Sequence, residues 1–99
     1  MTTGQVIRRR ALDGIRVVDF GQAIAMPYCG GLLADLGAEV IRIEAPMRVD
    51  PRLVDGAIAG SVQVLHRGKR SLALDLTKPE GIEIAKKLVA VSDIVIENF

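Results

Sequence analysis

A chain of 99 residues with a formal net charge of +1 suits one small domain, and that balance gives no electrostatic case for nucleic acid or an anionic membrane. Three aromatic residues make base-stacking platforms a poor fit, and the single cysteine, Cys29, excludes a disulfide framework or a cysteine zinc site within one chain. No apolar run reaches the ~18 residues of a membrane-spanning helix, and the basic opening MTTGQVIRRRAL lacks the apolar run of a signal peptide, so the chain reads as soluble and cytoplasmic.

Residues 1–11 read as a flexible, solvated tail. IRVVDF (Ile15–Phe20) is a short β-branched run, as expected of a strand buried on both faces. Gly21 and Pro27 break the chain after it. YCGGLLADLGA places Leu32, Leu33 and Leu36 at helical spacing, with Gly37 as the C-terminal stop. EVIRIE (Glu39–Glu44) predicts a second buried strand. The next segment carries Pro46, Pro51, Gly56 and Gly60 and reads mainly as loop, and a loop this long in a compact domain is usually functional.

A basic turn at Arg67–Arg70 leads into a third strand, Ser71–Leu76. TKPEGIEIAKKLVAVS then predicts a helix with Thr77 as cap, Pro79 at an early position and Glu80 in the first turn. Its apolar face is Ile82, Ala85, Leu88 and Val89. DIVIENF gives a fourth strand. Strands alternating with helices predict an α/β fold built on a parallel sheet with right-handed crossovers. Two helices cannot cover four strands, so the sheet is incomplete on its own. The 49% hydrophobic content agrees, and it leaves two accounts open: an oligomer, or a piece of a larger core.

Candidate chemistry is sparse. The first strand–helix turn reads GQAIAMPYCGG and contains no G-x-G-x-x-G, which argues against a nicotinamide dinucleotide site despite an acid, Glu44, at the end of the second strand. HRGKRS lacks the spacing of a Walker loop. Cys29 near a helix start could have a lowered thiol pKa, but a small buried packing residue is the better reading. His66 could touch phosphate or act as a base, yet shows no carboxylate partner in sequence, which favours a structural or exposed role. Arg67, Lys69 and Arg70 suit phosphate as well as they suit a solvated turn. The strand-end carboxylates Asp19, Glu44, Asp75 and Glu97 cannot be paired from sequence alone.

Read together, LDGIRVVDFG, PYCGGLLADLGAEVIRIEAP, HRGKRSLALDLTKPEG and SDIVIENF resemble the amino-terminal region of the family III CoA-transferases, also called the CaiB/BaiF family. The family includes formyl-CoA and carnitine-CoA transferases and α-methylacyl-CoA racemase. The resemblance runs through residues 12–99 and implies the amino-terminal portion of a larger Rossmann-like domain that binds coenzyme A or acyl-CoA as substrate, with no metal. It implies transfer of CoA between an acyl-CoA and a carboxylic acid, and an interlocked homodimer in the full-length protein. The family's aspartate nucleophile lies downstream of the Asn-Phe pair and matches no aspartate here. No catalytic residue is therefore assigned, and the 99-residue chain alone is expected to be inactive. An acyl-CoA racemase or isomerase of the same family and a truncated nucleotide-binding fragment are the alternatives, although the ENF ending tilts toward a transferase.

Coenzyme-binding positions carry over by resemblance one at a time. Ala23 and Ile24 match the loop that packs near the coenzyme, Ile24 standing where some transferases have glutamine. Ala45 occupies a position that is often arginine near the adenine, with Arg48 or Arg52 as substitutes. Leu74 matches an apolar contact, and Lys78 is a shifted stand-in for a lysine whose place is taken by Thr77. Asn98 and Phe99 match the family's pair beside the coenzyme. His66 stands where the family's basic turn usually begins with asparagine, and the Arg67–Ser71 core is intact.

Overall fold

The structure is a computed structural model, and it describes residues 9–46 and 64–99. Residues 1–8 of the predicted tail (1–11), most of the predicted loop, and the substitutes Arg48 and Arg52 lie outside the described residues. The elements run β1 (Arg16–Asp19), α1 (Ala25–Asp35), β2 (Glu39–Glu44), β3 (Arg70–Ala73), α2 (Pro79–Ala90) and β4 (Ile94–Ile96). All four strands are parallel, in the spatial order β3-β2-β1-β4. The chain thus moves outward from β1 to β3 and then crosses back to β4. Right-handed crossovers in opposite directions put α1 and α2 on opposite faces of the sheet.

The core lies under α1. Val17, Ala34, Ala38, Val40 and Ile96 are buried together, with Leu12, Ile15, Met26 and Leu33 packed against them. Val17, Val18 and Val40 are the largest apolar side chains removed almost wholly from water, each contributing on the order of 1.5–3 kcal/mol. Leu32, Leu33 and Leu36 fall at helical spacing in the sequence, and of the three Leu33 packs against the core. Pro27, Gly30, Gly31 and Ala34 face the sheet, while Leu32 and Leu36 are 43% and 50% exposed. Small residues let the helix backbone approach the strands closely, so Leu32 and Leu36 lie off the contact line while Leu33 stays packed against the core. Pro27 sits within the first turn, where its missing N–H costs nothing.

Gly37 ends α1 as expected. With φ at 105° it donates to Ala34 O while Ala38 donates to Leu33 O, the paired bonds of a Schellman motif. At α2 the predicted cap is corrected. Lys78 is the N-cap residue without a side-chain cap bond, because the Thr77 hydroxyl donates to Asp75 Oδ1 instead. Pro79 and Glu80 stand in the first turn as predicted. On that helix only Gly81 and Ala85 are buried, and Ile82 and Val89 remain 40% and 37% exposed. β2 has the predicted bounds, and β1 and β3 are shorter than predicted.

Candidate coenzyme site at the strand ends

The spatial order reverses between β1 and β4, and in open α/β sheets ligands bind in the crevice beyond the carboxyl ends at such a switch point. Both strand ends are tied together there. The Asn98 carboxamide donates from Nδ2 to Gln22 O at 2.8 Å and accepts the Gln22 N–H at 2.7 Å. The side chain after β4 thus grips the backbone after β1 like a short piece of strand pairing. The next residue, Ala23, has φ at 59°, a left-handed conformation that costs a residue with a Cβ roughly 1–2 kcal/mol. Such strain persists only where its surroundings hold it, and it concentrates at binding sites.

A cavity of about 210 Å³ opens at this edge, lined by Phe20, Gln22, Ile43, Ala45, Leu74, Asp75, Leu76, Thr77 and Phe99. Five of these are large apolar side chains, so the cavity suits an uncharged arm or ring, with Gln22, Asp75 and Thr77 as its polar groups. Thr77 binds Asp75 through its hydroxyl and its amide, which holds the Asp75 carboxyl below its ordinary pKa.

Of the residues carried over from the resemblance, Ala45, Leu74 and Phe99 meet at this one wall. Ala23 and Ile24 lie outside the lining, exposed at the start of α1, and Lys78 is exposed at the start of α2. Asn98 also lies outside it, its carboxamide occupied by Gln22. Sequence reasoning missed Phe20, Gln22, Ile43, Asp75, Leu76 and Thr77. A position at or just past the end of a predicted strand was the available signal for Phe20, Gln22 and Leu76, and Asp75 stands out in the sequence only as a strand-end carboxylate.

Every strand-end carboxylate has an internal partner. Asp19 pairs with Lys69, Glu44 with Arg42 and Ser71, Asp75 with Thr77, and Glu97 with the Phe99 N–H. The basic turn is equally committed. Arg67 forks onto Asp35, whose hydrogen bonds and charge raise the guanidinium pKa, and Lys69 is buried against Asp19. Arg70 is the most exposed cation of the three, and among the described residues its ion-pair contact is a long one to Glu39 at 3.8 Å.

Cys29 is half-buried, and His66 contacts Lys69 rather than a carboxylate. No group of metal-ligating side chains occurs among the described residues, and none of their helices is long and apolar enough to cross a membrane.

A doubly wound parallel sheet with a cavity at its switch point defines an α/β chain of the Rossmann-like ligand-binding class. Comparison with known proteins is specific within that class. The family model for CoA-transferase family III matches residues 12–99, and the chain belongs to that family. It is 47% identical over 97 residues to a succinyl-CoA:mesaconate CoA-transferase of Haloarcula hispanica, covering 90% of this chain and 24% of the relative. It is 44% identical over 95 residues to a succinyl-CoA–D-citramalate CoA-transferase of Chloroflexus aurantiacus, covering 91% of this chain and 24% of the relative. A crystal structure of a CaiB/BaiF family protein from Brucella suis superposes with a TM-score of 0.79 at 40% identity, covering 93% of this chain and 26% of that one. The chain therefore spans about a quarter of the length of the relatives it matches.

Proposed function

We propose that residues 12–99 are the coenzyme-binding amino-terminal portion of a CoA-transferase that moves CoA between an acyl-CoA and a carboxylic acid. The observation that carries this reading is the cavity at the carboxyl ends of the strands, where Ala45, Leu74 and Phe99 converge. The activities named for the relatives favour a transferase over a racemase. Ala23, Ile24 and Lys78 flank the same edge and extend the contact surface, with Lys78 suited to a phosphate. The proposed setting is the cytoplasm, and the full-length protein would act as an interlocked homodimer. The 99-residue chain by itself turns nothing over, because every strand-end carboxylate is held by an internal partner and none matches the family's nucleophile.

Titration calorimetry of the chain with coenzyme A tests the binding. Saturable heat is expected, weakened about tenfold in Ala45→Glu, which sets a carboxylate at an exposed rim position facing an anionic ligand and so acts without disturbing the core. No heat from the unmodified chain would overturn coenzyme binding by this segment. Turnover of an acyl-CoA with free carboxylate by the chain alone would overturn the proposed inactivity.

A further inference from the structure

Below the loop that follows β1 lies a buried ion pair that the cavity does not use. Lys69 Nζ stands 2.6 Å from Asp19 Oδ2, with the two side chains 1% and 0% exposed. The other two ammonium protons go to Pro27 O at 2.9 Å and His66 Nδ1 at 3.0 Å. The second carboxylate oxygen, Asp19 Oδ1, accepts the Gly21 N–H at 2.7 Å. All three ammonium protons and both carboxylate oxygens are therefore engaged. An ion pair this deeply buried is a poor device for stability, because desolvation offsets the attraction between the charges.

What the pair accomplishes is geometric. It joins the end of β1, the first turn of α1 and the basic turn before β3, and through Asp19 Oδ1 it fixes Gly21. Gln22, held by Asn98, and left-handed Ala23 follow directly. The loop is thus gripped from both sides. The packing leaves no slack either: a Cβ at Gly30 would lie 2.8 Å from Asp19 Oδ2 and 3.0 Å from Lys69 Nζ.

His66 completes the arrangement only as a neutral ring. Nδ1 must carry a lone pair toward the ammonium, which puts the proton on Nε2. Burial first, then the Arg42 and Lys69 cations, push the His66 pKa down to about 4 against the opposing pull of Asp19 and Glu44. The acceptor is thus present throughout the neutral range.

We propose that the Asp19–Lys69 pair, with neutral His66 as third acceptor, is a positioning device that sets the backbone of residues 20–24 at the strand-end rim. Lys69 then governs coenzyme affinity without touching coenzyme. That second consequence rests on the coenzyme reading above, whereas the positioning of the loop does not.

The test compares the full chain with Lys69→Met, which keeps the length of the side chain and removes the ammonium. Amide hydrogen exchange is read by NMR at Gly21 and Gln22, with Val18 and Val40 as internal references. The expected result is exchange about tenfold faster at Gly21 and Gln22, the scale of one lost hydrogen bond, with the references unchanged. Coenzyme A titrations should show a similar loss of affinity. Should Lys69→Met fail to fold because Asp19 is left unpaired, the double variant Asp19→Asn/Lys69→Met carries the same comparison without a buried charge. Unchanged exchange at Gly21 and Gln22, or an equal change at Val18 and Val40, would overturn the positioning role. If the unmodified chain takes up no coenzyme A, the coenzyme reading fails, and the exchange data still decide whether the pair positions the loop.

Discussion

At the scale of single residues, Asn98 is where the family resemblance and the geometry assign different work. Resemblance places it beside the coenzyme, while the structure spends one donor and one acceptor of its carboxamide on Gln22. Two bonds at an exposed position contribute about 1 kcal/mol or a little more in net terms. Asn98→Ala is expected to lower unfolding free energy by about that amount in urea titrations and to weaken coenzyme A binding several-fold. Asn98→Asp keeps the acceptor for Gln22 N–H but sets a carboxylate oxygen against Gln22 O, so it should weaken binding at least as much. Full stability in Asn98→Ala with binding abolished would instead make Asn98 a direct contact. Nothing in ENF announced this pairing, because its partner is the backbone of a residue 76 positions away. Lys69 was illegible for a similar reason: a lysine in a basic turn looks solvated until a carboxylate fifty residues upstream is found beneath it.

Among the elements, α2 shows which helix features a sequence carries and which it hides. Pro79 and Glu80 were legible as a helix start because their reasons are local, a fixed φ and a favourable charge at the dipole's positive end. The cap was misread because Thr77 had a nearer acceptor in Asp75. Gly81 hides the most. A Cβ there would fall 2.0 Å from the backbone oxygen of Asp75, so the first turn of α2 lies directly against the cavity wall. Two effects oppose each other in Gly81→Ala. Helix propensity favours alanine by up to ~1 kcal/mol, whereas overpacking against rigid backbone typically costs about 1–3 kcal/mol. Because the clash is with main chain, which cannot rotate away, overpacking should win. A net destabilisation of about 1–2 kcal/mol is expected from the urea midpoint, together with weaker coenzyme A binding as Asp75 and Thr77 are displaced. A stabilised Gly81→Ala would show that the helix start shifts freely and does not define the wall.

Over the whole molecule, strand–helix alternation made the parallel sheet legible, and β2 fell on its predicted bounds because a β-branched run has few other options. The sequence also indicated a sheet with more apolar surface than two helices can cover. The structure locates that excess. One face packs under α1, while α2 covers the other only partly and leaves a groove of about 460 Å³ lined by Phe20, Leu76, Ile82, Ala85, Lys86, Val89 and Ala90. Ile84, Val91 and Val95 add further exposed apolar surface. Contiguous apolar surface of this kind drives association when it meets water. The chain is therefore expected to self-associate at micromolar concentrations, read as a sedimentation coefficient that rises with concentration. Ile82→Glu/Val89→Glu puts two charges on this face at positions already more than a third exposed, so it should suppress association while leaving the far-ultraviolet dichroism unchanged. Association that persists in the double variant would shift the driving surface elsewhere, first to the exposed Leu32 in α1 and Leu36 at its C-terminal end, on the opposite side of the sheet.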